Sequence, residues 1–245
     1  MKTHKSAPVI VLLHFAGGNC YSFQFLKPYL EDCNVVVLEL PGRGKRTGEE
    51  LISDKIAAVN DLMEQFLRQN IQGDFIIYGH SMGATLGLLL CEKLEGAGLY
   101  PGCFIATGSC GPGVGDEQQT YLLKGDAFKD ALRRLGGISE LVLQEEELFD
   151  YFEPVIRADF ELLEKDSIAP AKPLRTAIFA IMGAEEDDVE YIRNWQRFSA
   201  KTTTDIWPGN HFFIHDHPED LAALLKKHSV AGPRPSLKQT SFLAD

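Results

Sequence analysis

Five residues, Gly79-His80-Ser81-Met82-Gly83, lie between two apolar runs, Phe75–Tyr78 and Ala84–Leu90. Gly-x-Ser-x-Gly between a strand pattern and a helix pattern predicts a very sharp turn. Such a turn holds its central residue in a strained backbone conformation and lifts the serine hydroxyl clear of a sheet. Glycine is needed on both sides, because a Cβ there would collide with the neighbouring strand or helix. A serine hydroxyl is a weak nucleophile until a base takes its proton. The base is a histidine, held in one tautomer by a carboxylate.

The chain has seven histidines. His4 lies in a polar N-terminal stretch, His14 and His80 belong to other motifs and precede the acid position, and His228 ends the last helix pattern. His215 and His217 fall at the start of that helix. His211 follows a strand directly, in Gly209-Asn210-His211, where a turn can aim it back at the serine. It is the predicted base. The acid is expected just after the preceding strand, in Gly183-Ala184-Glu185-Glu186-Asp187-Asp188. A Gly-x-x-acid spacing selects Glu186. Asp187 is one step on and stands level with it, and Asp188 comes third. An oxyanion hole needs two backbone N–H groups. One belongs to Met82, the residue after the nucleophile. The other is expected from Ala16, in the glycine-rich loop His14-Phe15-Ala16-Gly17-Gly18.

These residues need a scaffold that brings distant loops to one edge. Val9–Leu13 and Asn34–Leu40 read as buried strands, with a helix over Tyr21–Leu30 between them. Ser53 is the expected N-cap of an amphipathic helix with Ile56, Val59, Met63 and Phe66 on one face. After the elbow and its helix, Cys103–Thr107 is a further strand. From Gly111 to Lys172 the strand pattern stops. Asp126 is the expected cap of one helix, ended by Gly136-Gly137, and a second region spans about Glu145 to Lys165, with Pro154 expected to kink or divide it. Alternation resumes with a strand over Leu174–Ile181, a helix around Val189–Phe198, a strand over Thr202–Trp207 and a last helix from Pro218. The pattern is an α/β-hydrolase: a mostly parallel central sheet flanked by helices, with a helical lid insertion at about 111–172. Residues 1–228 are expected to form a single domain and 229–245 a disordered tail.

Bulk composition narrows the class. Of 245 residues, 44% are hydrophobic and 24% charged, and the net charge is -11. An acidic chain is a poor match for nucleic-acid phosphates. No stretch approaches the roughly 20 apolar residues of a membrane span. The five cysteines (Cys20, Cys33, Cys91, Cys103, Cys110) show no metal-ligand spacing, and no cofactor or metal site is expected. Reduced cysteines suit a cytoplasmic protein.

The motifs together resemble the type II thioesterases of polyketide and nonribosomal peptide synthesis. The resemblance covers about residues 8 to 228. It rests on Ala16-Gly17-Gly18, Leu40-Pro41-Gly42-Arg43-Gly44, Gly79–Gly83, Arg157-Ala158-Asp159-Phe160 and Gly209-Asn210-His211-Phe212. The family commonly shows Gly-x-x-Asp followed by a proline at the acid; this chain has Glu186 there, no proline, and a shorter gap to Trp195. The resemblance implies hydrolysis of acyl groups from the phosphopantetheine arm of acyl or peptidyl carrier proteins, with the 111–172 insertion as a mobile lid shaping the acyl tunnel. It also implies an editing role, over product release; the chain is expected to be a monomer, without membrane or nucleic-acid partners. Carriers in such systems are generally acidic, so docking is expected near Lys124, Lys129, Arg133 and Arg134 rather than on the acidic stretch from Glu140 to Asp166. A general esterase or lipase, an acyltransferase that releases product to an alcohol or amine, and a catalytically silent carrier-binding protein are the rival readings.

Overall fold

In the computed structural model, residues 8–114, 119–166 and 168–229 are described. Six strands form one sheet: β1 (Val9–Leu13), β2 (Asn34–Leu38), β3 (Phe75–His80), β4 (Phe104–Thr107), β5 (Ile178–Gly183) and β6 (Thr202–Trp207). Their order is β2-β1-β3-β4-β5-β6, and every neighbouring pair runs parallel. The chain moves outward from β1 to β2, then returns to β3 on the other side of β1. This reversal opens a crevice at the strand C-termini, where parallel sheets hold their ligands.

Strand periodicity divides the core between two faces. Val9, Val11, Leu13 and Ile77 pack under α1 (Lys55–Arg68) and α2 (Met82–Gly96). Ile10, Leu12, Ile76 and Tyr78 face the opposite layer, with Leu221 and Leu225 of the C-terminal helix α6 (Pro218–Ser229). Between β4 and β5 the chain forms α3 (Asp126–Leu135), α4 (Glu140–Gln144) and α5 (Glu146–Glu164). These helices have a small core of their own, built from Phe128, Leu132, Leu143, Phe149 and Ile156. The expected helical insertion is therefore present among the described residues.

Several local expectations are corrected. The segment expected as a helix over Tyr21–Leu30 holds only a 3-10 helix, Gln24–Tyr29, with Pro28 inside it; proline supplies no N–H for a longer ladder. Asp54 caps α1 in place of Ser53, its carboxylate accepting from the Ala57 N–H at 2.7 Å. Asp126 is the first helical residue of α3, behind Gly125. Pro154 does not divide α5, because Phe149 before it and Ile156 after it anchor in the same small core. The strand expected from Leu174 begins at Ile178. The N–H groups of Arg175 and Thr176 donate to the Glu95 carboxylate, at 3.0 and 2.7 Å, and so leave the ladder. Val189–Arg197 is a 3-10 helix, and His215 ends another, Phe213–His215, ahead of α6. The expected tail lies, after Ser229, outside the described residues.

Candidate active site

The elbow forms as its spacing predicts. β3 ends at His80, α2 begins at Met82, and Ser81 between them has φ 55°. That conformation is strained for a residue with a Cβ, at roughly 1–3 kcal/mol. The Ser81 N–H donates to the Thr107 carbonyl at 2.8 Å, which fixes the turn to β4. A Cβ on Gly79 would strike the Gly83 carbonyl, and one on Gly83 would strike the Leu13 carbonyl. Backbone thus packs on backbone at both flanks, and only glycine fits.

His211 leaves the loop after β6, and Glu186 leaves the loop after β5. The Nδ1–H of His211 donates to Glu186 Oε2 at 2.7 Å. A carboxylate has no proton to give here, so this bond puts the imidazole proton on Nδ1 and the lone pair on Nε2. Glu186 is held in turn: its Oε1 accepts from the Gly183 N–H at 2.7 Å. Gly183 lets the two loops meet, since a Cβ there would strike the Gly209 and Asn210 carbonyls. Of the two carboxylates that sequence left level, Glu186 is the one against His211. Asp187 is exposed at the rim. Buried His211 Nε2 has no hydrogen-bond partner among the described residues. Ser81 Oγ and His211 Nε2 are therefore not hydrogen-bonded to each other.

Ala16 and Met82 line the same cavity as Ser81 and His211. Neither of their N–H groups meets an acceptor among the described residues. Met82 opens α2, so its N–H also carries the positive end of the helix dipole. The Ala16 loop is fixed from two sides. Buried His14 accepts from the Leu40 N–H through Nε2 at 3.2 Å and donates through Nδ1 to the Phe15 carbonyl at 2.9 Å. Burial, first, and the Arg43 charge hold its pKa down at about 3, so the ring stays neutral. From the lid, Asp159 on α5 accepts from the Gly17 N–H at 2.8 Å and pairs with Arg43 Nη1 at 2.5 Å. Both side chains of that pair are buried.

His80 lies against His211, their ring centroids 5.0 Å apart. Its Nδ1 and the Tyr78 hydroxyl both meet Thr107 Oγ1 at 2.9 Å. Burial keeps His80 well below the usual histidine range, so its ring is neutral. The cavity measures about 430 Å³. Its walls come from the elbow, the 108–112 loop after β4, lid residues such as Leu135, Phe160 and Leu163, and the Glu185–Asp188 segment. No group of side chains suited to a metal occurs among the described residues, and no helix there is long and apolar enough to cross a membrane.

Sequence reasoning missed the Arg43–Asp159–Gly17 link. A signal for it existed: Asp159 falls on the apolar face of α5, with Ile156 and Leu162, and a buried carboxylate demands a cation. Lys55 was missed in the same way. It is buried, and its amine donates to the Leu163 and Asp166 carbonyls at the end of α5.

The family model for the thioesterase domain matches residues 8–228. Linear gramicidin dehydrogenase LgrE of Brevibacillus parabrevis is 28% identical over 233 residues, 91% of this chain and 88% of its own length. The RedJ thioesterase of the prodiginine pathway of Streptomyces coelicolor superposes with a TM-score of 0.83 at 27% identity, over 91% of this chain and 86% of the other. The type II thioesterase BorB of the borrelidin cluster gives 0.82 at 27%, over 92% and 94%.

Proposed function

This chain belongs to the thioesterase family, enzymes that hydrolyse thioester bonds, and on that premise we propose that it clears acyl groups from the phosphopantetheine arms of carrier proteins, as a type II thioesterase with Ser81 as nucleophile. The observation that carries the reading is the convergence on one cavity of an elbow serine and the His211–Glu186 pair. The pathway assignment draws on the relatives, RedJ from a prodiginine pathway and BorB from the borrelidin cluster.

In this mechanism Ser81 Oγ attacks the thioester carbonyl as His211 Nε2 takes its proton. The oxyanion is held by the N–H groups of Met82 and Ala16, two residues that line the cavity. His211 then protonates the departing thiolate, and the thiol-bearing carrier leaves an acyl-serine behind. Water, deprotonated by His211, attacks that ester and releases the acid, with the proton returning to Ser81. Glu186 keeps the imidazole in the Nδ1–H tautomer and stabilises the imidazolium. His80 against the ring stays uncharged throughout.

The test is an acyl-loaded carrier followed by intact mass. The wild-type chain removes the acyl group, and Ser81→Ala leaves it in place while keeping its folded circular-dichroism spectrum. Equal removal by both proteins would sink the assignment.

A further inference from the structure

Two adjacent arginines at the end of α3 stand in opposite situations. Arg133 donates from Nη1 to Asp130 at 2.7 Å and from Nη2 to Glu140 at 3.1 Å. Arg134 has no acidic partner and no ring contact among the described residues. It lines the catalytic cavity together with Ala131 and Leu135. Positions 131, 134 and 135 share one helix face, so α3 sets this guanidinium in the cavity wall while leaving it exposed to solvent. The other lysine or arginine of the wall is Lys55, and its buried amine already serves the carbonyls at the end of α5. The rest of the charged lining is acidic, Glu164 on α5 and Glu185, Glu186, Asp187 and Asp188 in sequence. Burial first, and then the neighbouring charges of Glu190, Asp187 and Glu186, raise the pKa of Asp188.

We propose that Arg134 binds the phosphate of the phosphopantetheine arm while the thioester end of the arm lies at Ser81. The inference rests on the carrier-thioester reading above. The arm carries an anionic phosphate at the end away from its thiol, and a guanidinium fork matches phosphate geometry. The acidic segment of the lining repels the same group. Arg134 attracts the phosphate and the carboxylates of the lining exclude it, so the arm enters along α3. This separates the basic cluster of the sequence into unequal parts: Arg133 holds α3 to α4, and Arg134 faces the substrate. A carboxylate on the acyl group would offer Arg134 the same chemistry, so the two sources must be tested apart.

The experiment measures kcat and KM of the full chain on S-acetyl-pantetheine, S-acetyl-4′-phosphopantetheine and S-malonyl-pantetheine. The wild type favours the phosphorylated thioester over its unphosphorylated counterpart, and added salt narrows that preference. Arg134→Gln raises KM for the phosphorylated thioester by about tenfold, the scale of one charge-assisted contact. Its effect on S-acetyl-pantetheine is several-fold smaller, and Arg133→Gln alters neither. Equal losses on the two acetyl thioesters, or the same loss in Arg133→Gln, would overturn the proposal. A loss confined to S-malonyl-pantetheine would overturn it in favour of an acyl carboxylate. If the wild type hydrolysed none of the three, the carrier-thioester reading itself would fall, and Arg134 with it.

Discussion

Glu186 and Asp187 are neighbouring carboxylates in the same acidic run, and their surroundings give them different work. Glu186 is tied to both His211 and the Gly183 N–H, whereas Asp187 is exposed at the rim. Glu186→Gln is expected to lower kcat by about 10³–10⁴-fold, the cost of a base held in the wrong tautomer. Asp187→Asn is expected to stay within about fivefold, the scale of an exposed charge. Steady-state rates on one acyl thioester decide it, and the reverse order would move the acid to Asp187. Spacing could not separate these two residues, because both lie within reach of a turn after β5. The separation comes from the Gly183–Asn210 contact, a meeting of loops far apart in sequence. His14 carries a second residue-scale prediction. Its pKa is about 3 in the folded chain against 6.5 as an ordinary histidine. Below pH 6.5 the unfolded chain therefore binds a proton that the folded chain refuses. Stability falls as pH drops through the window from 6.5 to about 3, by roughly 1.4 kcal/mol per pH unit at its steepest. His80 adds to the same limb. Urea midpoints of His14→Gln at several pH values between neutrality and the acid limb should show a shallower slope than the wild type. An unchanged slope would mean that His14 already takes a proton in the fold.

At the level of elements, α5 is bound to the body of the molecule by two buried cations, Arg43 and Lys55. Removing one partner of the Arg43–Asp159 pair strands a buried charge, so Asp159→Ala should cost about 3–5 kcal/mol in urea unfolding. Replacing both, as Arg43→Met with Asp159→Leu, should recover much of that loss, because an apolar pair avoids the desolvation penalty. A double variant no more stable than Asp159→Ala would show that the link contributes through geometry at Gly17 and not through charge balance. β1, β3 and β4 were legible in sequence, since strands buried on both faces read as unbroken apolar runs; β2 reads the same way but is the edge strand, with Asn34 and Val35 exposed. The 3-10 segments Gln24–Tyr29 and Val189–Arg197 were not, as their apolar spacing resembles that of a short α-helix. The start of β5 was missed because Glu95, on a different element, takes the N–H groups of Arg175 and Thr176.

For the whole molecule, the architecture followed from alternation and its interruption. Parallel strands require crossovers, and the break between β4 and β5 marked the insertion that roofs the cavity. Ser81 and His211, the proposed nucleophile and base, were read from the elbow and from chain order. The packing of α5 on the Ala16–Gly17 loop was not, because Arg43, Asp159 and Gly17 meet only in three dimensions. The central claim is that carrier-bound thioesters are cleaved through an acyl-serine. It is tested most directly by quenching the enzyme with an acyl-loaded carrier during turnover and locating the adduct by peptide mass spectrometry. The account predicts an acyl adduct on the peptide bearing Ser81, absent in Ser81→Ala. An adduct on the cavity-lining thiol of Cys110, or hydrolysis that persists in Ser81→Ala, would contradict it.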